Sequence, residues 1–142
     1  MNKNKFRSIW LIIVLILITG NSNFKISFEE FIKNYEWKNR ILLLIAKNKN
    51  DKIVKETINF FEIHNCENEE RNLKLIKIID HQIKKFNLPK KYQNTYGIWL
   101  IGYDGKEKSY SKNTALLNII HKKIDEMPIR KEEMLSSKSQ CN

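Results

Sequence analysis

Glycine and proline are scarce in this chain, and arginine is scarce among its many basic residues. Four Gly and two Pro in 142 residues leave little room for long flexible linkers, so we expect one domain with its own core. Lys and Arg number 26 against 16 Asp and Glu, a formal charge of +10, yet only four of these basic residues are Arg. Arg is the residue that best binds phosphates and bases through two parallel hydrogen bonds. Because this chain has so few arginines, we expect no nucleic-acid partner. A solvated lysine-rich surface is the favoured interpretation, and an anion-binding face is the alternative.

The N-terminus lacks an Ala-x-Ala cleavage motif but otherwise has the layout of a secretory signal. Residues 1–7 are basic, Trp10–Ile18 is apolar and uncharged, and small or polar residues follow. The apolar run is shorter than the about 20 residues that span a bilayer. We therefore predict a signal peptide at 1–22 and an exported protein, periplasmic or secreted. The alternative is an uncleaved anchor, the one case in which the membrane is a partner.

The strands are predicted from runs of apolar residues and from one turn signal. Ile41–Ala46 and Ile98–Ile101 carry no charge and predict central strands, whereas Leu73–Ile79 contains two lysines and suits a sheet edge. Asp104-Gly105 is a strong hairpin signal, and the strand that returns from it is polar. We expect the first two strands to be parallel and the last two antiparallel.

The helices are predicted from apolar spacing and capping residues. A capping box at Ser27 opens a helix over Phe28–Tyr35, a second helix follows Asp51, and a third ends near Met127. The acidic segment 65–70 is predicted to be a loop. The domain boundaries are a leading helix at 23–36, the main domain at 37–134 and a flexible tail at 135–142.

Taken together, the elements predict an α/β fold of a known type. A leading helix followed by βαβαββα, with a right-handed crossover, gives a thioredoxin-like sandwich around a four-stranded mixed sheet.

The chain also resembles a bacterial domain of unknown function, DUF4174, which is similar to a domain in vertebrate sushi-repeat extracellular proteins. The resemblance covers about residues 37–134 and depends most on Leu100-Ile101-Gly102 with its Asp-Gly turn and on the ending Ile124–Met134. It implies a thioredoxin-like fold and no particular reaction. The residues that match the family, of unknown role, are Trp37, Arg40, Gly102, Asp104, Gly105, Lys108, Asp125, Met127, Pro128 and Arg130. Two departures are Tyr103, where the family usually has Lys, and Asn72, where we expect Asp.

The Cys-x-x-Cys pair of a working thioredoxin is missing. Lys47–Lys52 stands where the first strand meets its helix, and Gln93-Asn94-Thr95 stands where a facing Pro is usual. Thiol–disulfide exchange at that place is excluded. The histidines lack metal-ligand spacing, so we assign no catalytic residue, cofactor or metal.

Cys66 lies among carboxylates, which raise the pKa of a thiol and make it a poor nucleophile. We expect a bystander thiol; the alternative, in an exported protein, is a disulfide with Cys141.

Arg130 is expected to pair with a carboxylate inside the fold, either Asp104 or Asp125. Trp37 and Trp99 are expected to belong to the core rather than to a stacking surface.

Three functions remain open at this point. The first is a redox-inactive binding or scaffold domain of the cell envelope, whose partner is an envelope protein or peptide. The second is an enzyme, dependent on Cys66 or on an unrecognised site. The third is electrostatic binding to anionic envelope polymers or lipid headgroups.

Overall fold

The structure is a computed structural model that describes residues 24–139 and residue 141. The predicted signal peptide, 1–22, lies outside the described residues. Within the described part, no helix has the length and apolar character needed to cross a membrane.

The described chain is a mixed α/β fold with five α-helices and six strands. The helices are α1 (Phe28–Lys33), α2 (Lys52–Ile63), α3 (Asn65–Glu70), α4 (Ile120–Asp125) and α5 (Pro128–Ser136). The strands are β1 (Ile26–Ser27), β2 (Arg40–Ala46), β3 (Leu73–Ile79), β4 (Phe86–Asn87), β5 (Gly97–Ile101) and β6 (Glu107–Ser111). Single 3₁₀ turns cover Asp80–Lys85, Lys90–Tyr92 and Thr114–Leu116.

Four strands form one mixed sheet in the order β3-β2-β5-β6, and β1 pairs with β4 separately. β2 and β3 are parallel, with Arg40 opposite Leu73, while β5 is antiparallel to both β2 and β6. β2, apart from Arg40 at its start, and β5 carry no charge and occupy the middle of the sheet, because a strand covered on both faces and both edges favours apolar residues. The predicted four-stranded mixed sheet is therefore confirmed.

Each face of the sheet carries its own hydrophobic core. Alternate residues of β2 point to opposite faces, so Leu43 packs with Trp99 and α1, and Leu44 packs with α2 and α4. Every residue of β2 is buried. The prediction that Trp99 is a core residue is confirmed.

The prediction of a loop in the middle of the chain is wrong. Residues 65–70 form α3, supported by an Asn65–Glu69 hydrogen bond of 3.0 Å on the helix surface. α5 continues through Ser136, the second residue of the segment predicted to be a tail.

Cys66 and Cys141 form a disulfide that fixes the end of the chain to α3, with Cα atoms 5.7 Å apart. The bystander interpretation of Cys66 is wrong, and its alternative holds. The carboxylates around Cys66 say nothing about which distant thiol the fold brings to it, so the local sequence misleads here.

We predict that Leu44→Ala lowers the free energy of unfolding by about 3 kcal/mol, because it removes buried methyl groups and leaves a cavity in the middle of the sheet. Leu44 is 0% exposed. Chemical denaturation with urea measures the change.

The matched control is Leu135→Ala, the same substitution at a side chain that is 89% exposed on α5. Its effect should stay within about 0.5 kcal/mol. Equal effects of the two variants would contradict this assignment of the core.

Candidate functional site

A cavity of about 400 Å³ opens where the start of β2, the β5–β6 hairpin and the junction of α4 with α5 meet. We call it the aromatic pocket. Its lining residues are Trp37, Arg40, Gly102, Tyr103, Asp104, Lys108, Met127, Pro128 and Ile129. Most of these side chains are apolar or aromatic, while the charged ones come from β2 and from the hairpin. Such a cavity suits an apolar group whose neighbours are polar or charged.

Trp37 stands at the pocket in an unusual backbone conformation. Its side chain is 69% exposed, and its φ is +58°, in the left-handed region. In the described chain, the other non-glycine residues with positive φ are Asn or Asp, which tolerate this region, whereas a bulky residue pays about 1–2 kcal/mol there. The Trp37 N–H donates to the Tyr103 carbonyl at 2.8 Å, which holds the turn in place. The expectation that Trp37 is a core residue is wrong.

Tyr103 joins the pocket to a buried guanidinium. The Cζ atom of Arg40 lies 4.0 Å from the centroid of the Tyr103 ring, a cation–π contact. Arg40 is 1% exposed. Burial raises the pKa of the Tyr103 hydroxyl despite the nearby positive charge of Arg40, so the phenol stays protonated at neutral pH. The aromatic ring is thereby fixed as an uncharged wall of the pocket.

Behind Tyr103, three arginines and two carboxylates form a closed set of contacts that we call the ion-pair ring. Both η nitrogens of Arg40 donate to Glu133, at 3.2 and 3.3 Å, and Arg130 Nη1 donates to the same carboxylate at 3.3 Å. Arg130 Nε and Arg71 Nη2 both donate to Asp125, at 3.3 and 2.7 Å. Arg40 Nη1 also donates to the Arg71 carbonyl at 2.8 Å, which closes the ring.

The ion-pair ring decides the protonation state of Glu133. Burial opposes its charge and would raise its pKa, but the hydrogen bond from Arg40, with Tyr103 and Arg130, outweighs burial. The pKa of Glu133 therefore lies below its ordinary value of 4.5. The carboxylate is ionised at neutral pH, and the two guanidinium groups it contacts favour that charged form.

The hairpin turn supplies the charged rim of the pocket. Asp104 accepts from the Lys106 N–H at 3.1 Å and from Lys108 Nζ at 2.8 Å. Burial would raise the pKa of Asp104, yet these contacts lower it. A Cβ on Gly102 would lie 2.5 Å from Lys108 Cε, so a larger residue there would displace the end of the lysine side chain. Gly105 has a φ of +68°, and a Cβ there would meet Glu36.

The residues predicted from the family resemblance are therefore neighbours in space. Seven of the ten line the aromatic pocket, Gly105 makes the turn beside it, and Asp125 and Arg130 belong to the ion-pair ring. The expected partner of Arg130 is Asp125; Asp104 pairs with Lys108 instead.

Sequence reasoning did not assign Arg71, Glu133, Tyr103 or Ile129 to a site. One signal for the first two was available: all the arginines of the described chain take part in the ion-pair ring. In a chain so rich in lysine, a few arginines suggest bidentate, buried pairing.

The two positions that depart from the family pattern contact each other. Asn72 Nδ2 donates to the Tyr103 hydroxyl at 2.8 Å. The resemblance leads us to expect Asp and Lys at these positions, which would form an ion pair. This chain has a neutral hydrogen bond there instead.

The described residues offer little support for a metal site or for a nucleophilic cysteine. Among residues 24–139 and 141, no three His, Cys, Asp or Glu side chains are grouped as metal ligands. His64 and His121 are neighbours, with ring centroids 5.6 Å apart, but His121 Nε2 contacts Asn68 at 2.8 Å. Both described cysteines are in the disulfide, so neither is a free nucleophile in this state.

The comparisons with known proteins agree with the resemblance. The family model described as a domain of unknown function, DUF4174, matches residues 31–133. No curated protein and no solved structure matches the chain.

We predict that Glu133→Gln lowers the free energy of unfolding at pH 7 by about 2 kcal/mol, because the charged guanidinium of Arg40 loses its ionised partner. The pKa of Glu133 is lowered in the folded state, so its stabilisation is present above pH 4.5 and disappears as pH falls through the folded pKa. The variant should therefore lose stability less steeply than the wild type below pH 4.5. Urea denaturation over a series of pH values measures both effects.

The control is Glu132→Gln, which makes the same change at the exposed neighbouring residue of α5. A pH dependence in Glu133→Gln that matches the wild type would show that the ring does not hold Glu133 ionised.

Proposed function

The chain belongs to the DUF4174 family, and on that premise we propose that it is an exported binding protein of the cell envelope. In this proposal the aromatic pocket receives an apolar side chain from an extended, acidic peptide segment of an envelope protein. The observation that carries the proposal is Trp37, a strained and exposed aromatic residue at the mouth of a cavity lined by the residues that match the family.

The backbone conformation of Trp37 costs free energy, which is the first reason to infer a binding role. Left-handed backbone at a bulky residue is unfavourable, and a side chain that is mostly exposed returns little stability through packing. Strain of this kind gathers at sites that contact ligands, where position matters more than stability. An exposed indole beside an apolar cavity is also the type of surface that dominates binding energy in protein interfaces.

The chemistry of the partner follows from the lining of the pocket and from the charge of the chain. Trp37, Tyr103 and Pro128 offer flat apolar surfaces, which suit an aliphatic or aromatic side chain. Lys108 lies at the rim and is partly exposed, so a carboxylate next to the inserted side chain can share it with Asp104. Without the predicted signal peptide, which holds three basic residues and no acidic one, 26 − 3 = 23 basic residues against 16 acidic ones leave a net charge of +7, which steers an acidic segment toward such a site.

The scaffold that we propose is thioredoxin-like but redox-inactive at the usual place. Its support is the sheet order β3-β2-β5-β6 with a parallel and an antiparallel pair, and Lys47–Lys52 where a Cys pair is usual. Export is supported by the basic, apolar and small-residue segments at the N-terminus, and by a disulfide, which persists in oxidising compartments.

We predict that peptides selected on the chain from a random displayed library combine an apolar residue with Asp or Glu, and that Trp37→Ala weakens their binding at least about tenfold. Fluorescence anisotropy with a labelled selected peptide measures the dissociation constants. Ile63→Ala is the control, because Ile63 is 66% exposed on α2 and lies outside the pocket lining. That variant should bind as the wild type does.

Two results would contradict the proposal. One is selected peptides that bind Trp37→Ala and the wild type equally well. The other is an affinity that falls steeply as salt is added and is the same in Trp37→Ala and the wild type. That result would instead favour a binder of anionic polymers.

We further predict that Trp37→Gly is about 0.5–1 kcal/mol more stable than Trp37→Ala, because glycine adopts a φ of +58° without strain. Both variants lack the indole, so the comparison isolates the backbone. Thermal or urea denaturation measures the difference, and both variants should fail to bind the selected peptides.

The same Ala and Gly substitutions at Glu132 in α5 provide the control. In an ordinary helix glycine is the less stable residue by about 1 kcal/mol, so the order there should reverse. Alanine more stable than glycine at both positions would show that Trp37 is not strained.

A further inference from the structure

Helix α5 is attached to the protein by very little apolar burial. Arg130 is its one buried residue, while Ile129 is 40%, Met134 41% and Leu135 89% exposed. Burial of apolar surface is the main force that holds a helix to a core. α5 is therefore held at one side by the ion-pair ring, through Arg130 and Glu133, and beyond its end by the disulfide.

Ser139 and Cys141, which follow α5, connect the chain back to α3, and we call these two residues the strap. The Ser139 hydroxyl donates to Glu70 Oε1 at 2.7 Å, and the Cys141 N–H donates to the same oxygen at 3.0 Å. Cys141 is bonded to Cys66 on α3, and the Glu70 carbonyl accepts from Arg130 Nη1 at 2.8 Å. The strap thus closes a loop between α3, the tail and the middle of α5.

The disulfide is accessible to a reductant. Cys66 is exposed and Cys141 is partly exposed. Beside Cys66 lies a hollow of about 700 Å³ lined by cationic and acidic groups. They are Arg71, Arg130, Lys138, Glu69 and Glu70. Because cationic and acidic groups are mixed in this hollow, its charge does not decide how the bond reacts. Exposure favours exchange, since exposed disulfides are the ones that exchange most easily.

We propose that the Cys66–Cys141 bond is an exchange site for an external protein dithiol, and that its reduction releases α5 and weakens binding in the aromatic pocket. The inference rests on the proposed function for its last step, since the pocket has to bind a ligand for release to matter. The exchange site and the release of α5 stand on the contacts of the strap alone.

The exchange between the dithiol and the Cys66–Cys141 bond involves four sulfur atoms and needs no further oxidant or reductant. A thiolate of the dithiol attacks Cys66 Sγ, the bond to Cys141 breaks, and Cys141 leaves as a thiolate that takes a proton. The second thiol of the reductant, as a thiolate, then attacks the first reductant sulfur, which is bonded to Cys66 in the mixed disulfide. The bond to Cys66 breaks, and Cys66 leaves as a thiolate that takes the second proton. Two electrons and two protons pass to Cys66 and Cys141, and the dithiol becomes a disulfide.

Release of α5 affects the aromatic pocket because the first residues of this helix form one wall of the pocket. Pro128 and Ile129, the first residues of the helix, line the aromatic pocket. Glu133 in the same helix holds Arg40, whose guanidinium packs on Tyr103. A helix freed at its C-terminal end moves these groups without disturbing the sheet.

The test is hydrogen exchange, measured by mass spectrometry on the folded chain before and after treatment with dithiothreitol. In the reduced protein, the amides of the residues that follow Pro128 in α5, 129–136, should exchange at least about tenfold faster, a change of about 1.4 kcal/mol in local opening. Amides of 41–46 in β2 should keep their protection, which shows that the sheet stays folded. Reoxidation should restore the slow exchange, and Cys66→Ser with Cys141→Ser should reproduce the reduced profile.

Unchanged exchange at 129–136 after complete reduction would overturn the proposal, as would a disulfide that dithiothreitol reduces only in denaturant. A second arm compares oxidised and reduced protein for binding of the library-selected peptide, with at least about tenfold weaker binding expected on reduction. If α5 is released but affinity is unchanged, the regulatory step is wrong. If no peptide depends on Trp37, the proposed function fails, while the exchange result still decides whether the strap is a switch.

Discussion

Arg40 carries its charge at the first residue of the central strand, where water cannot reach it, and a guanidinium does not lose its proton at any ordinary pH. A buried charge of this kind has to be paired, because leaving it alone costs several kcal/mol. The chain supplies Glu133 from α5, the Arg71 carbonyl and the face of the Tyr103 ring. Segments far apart in sequence are thereby required to meet at one place.

That requirement also shapes the aromatic pocket. Tyr103 is held against Arg40 from one side and is bonded to Trp37 through its carbonyl, so the hairpin and the turn before β2 share one position. The position of α5 is fixed as well, because Glu133 has to reach the same guanidinium. Pro128 and Ile129, at the start of this helix, then lie at the pocket beside the hairpin. The walls are therefore arranged before any ligand arrives, and a preformed site spends less binding energy on ordering itself. Gly102 contributes to this arrangement, because its lack of a Cβ leaves room for the Lys108 side chain across the turn.

The sheet could be predicted from the sequence because its signals are local. Ile41–Ala46 has no charge, and Asp104-Gly105 sets the turn, so the strands and their central or edge positions follow from short windows. The ion-pair ring could not be found in this way, because no pattern states that Arg40 meets a glutamate 93 residues later. The resemblance grouped the matching residues but did not say that they touch. Trp37 was misjudged because a tryptophan is usually buried, and nothing in its neighbours reveals a left-handed backbone.

Asn72 and Tyr103 show how this member differs while the arrangement is kept. Asn72 has a φ of +47°, a conformation that Asn and Asp share, and its carbonyl accepts from the Arg40 N–H at 2.9 Å. Its amide then bonds the Tyr103 hydroxyl, where the resemblance leads us to expect an ion pair. A neutral pair removes one positive and one negative charge beside Arg40, so the charge balance of the ring is unchanged. The aromatic ring gained at 103 contacts the guanidinium by its face, which a lysine cannot do. Tyr103 therefore gives the pocket an aromatic wall, and that wall is held in place by the buried guanidinium of Arg40.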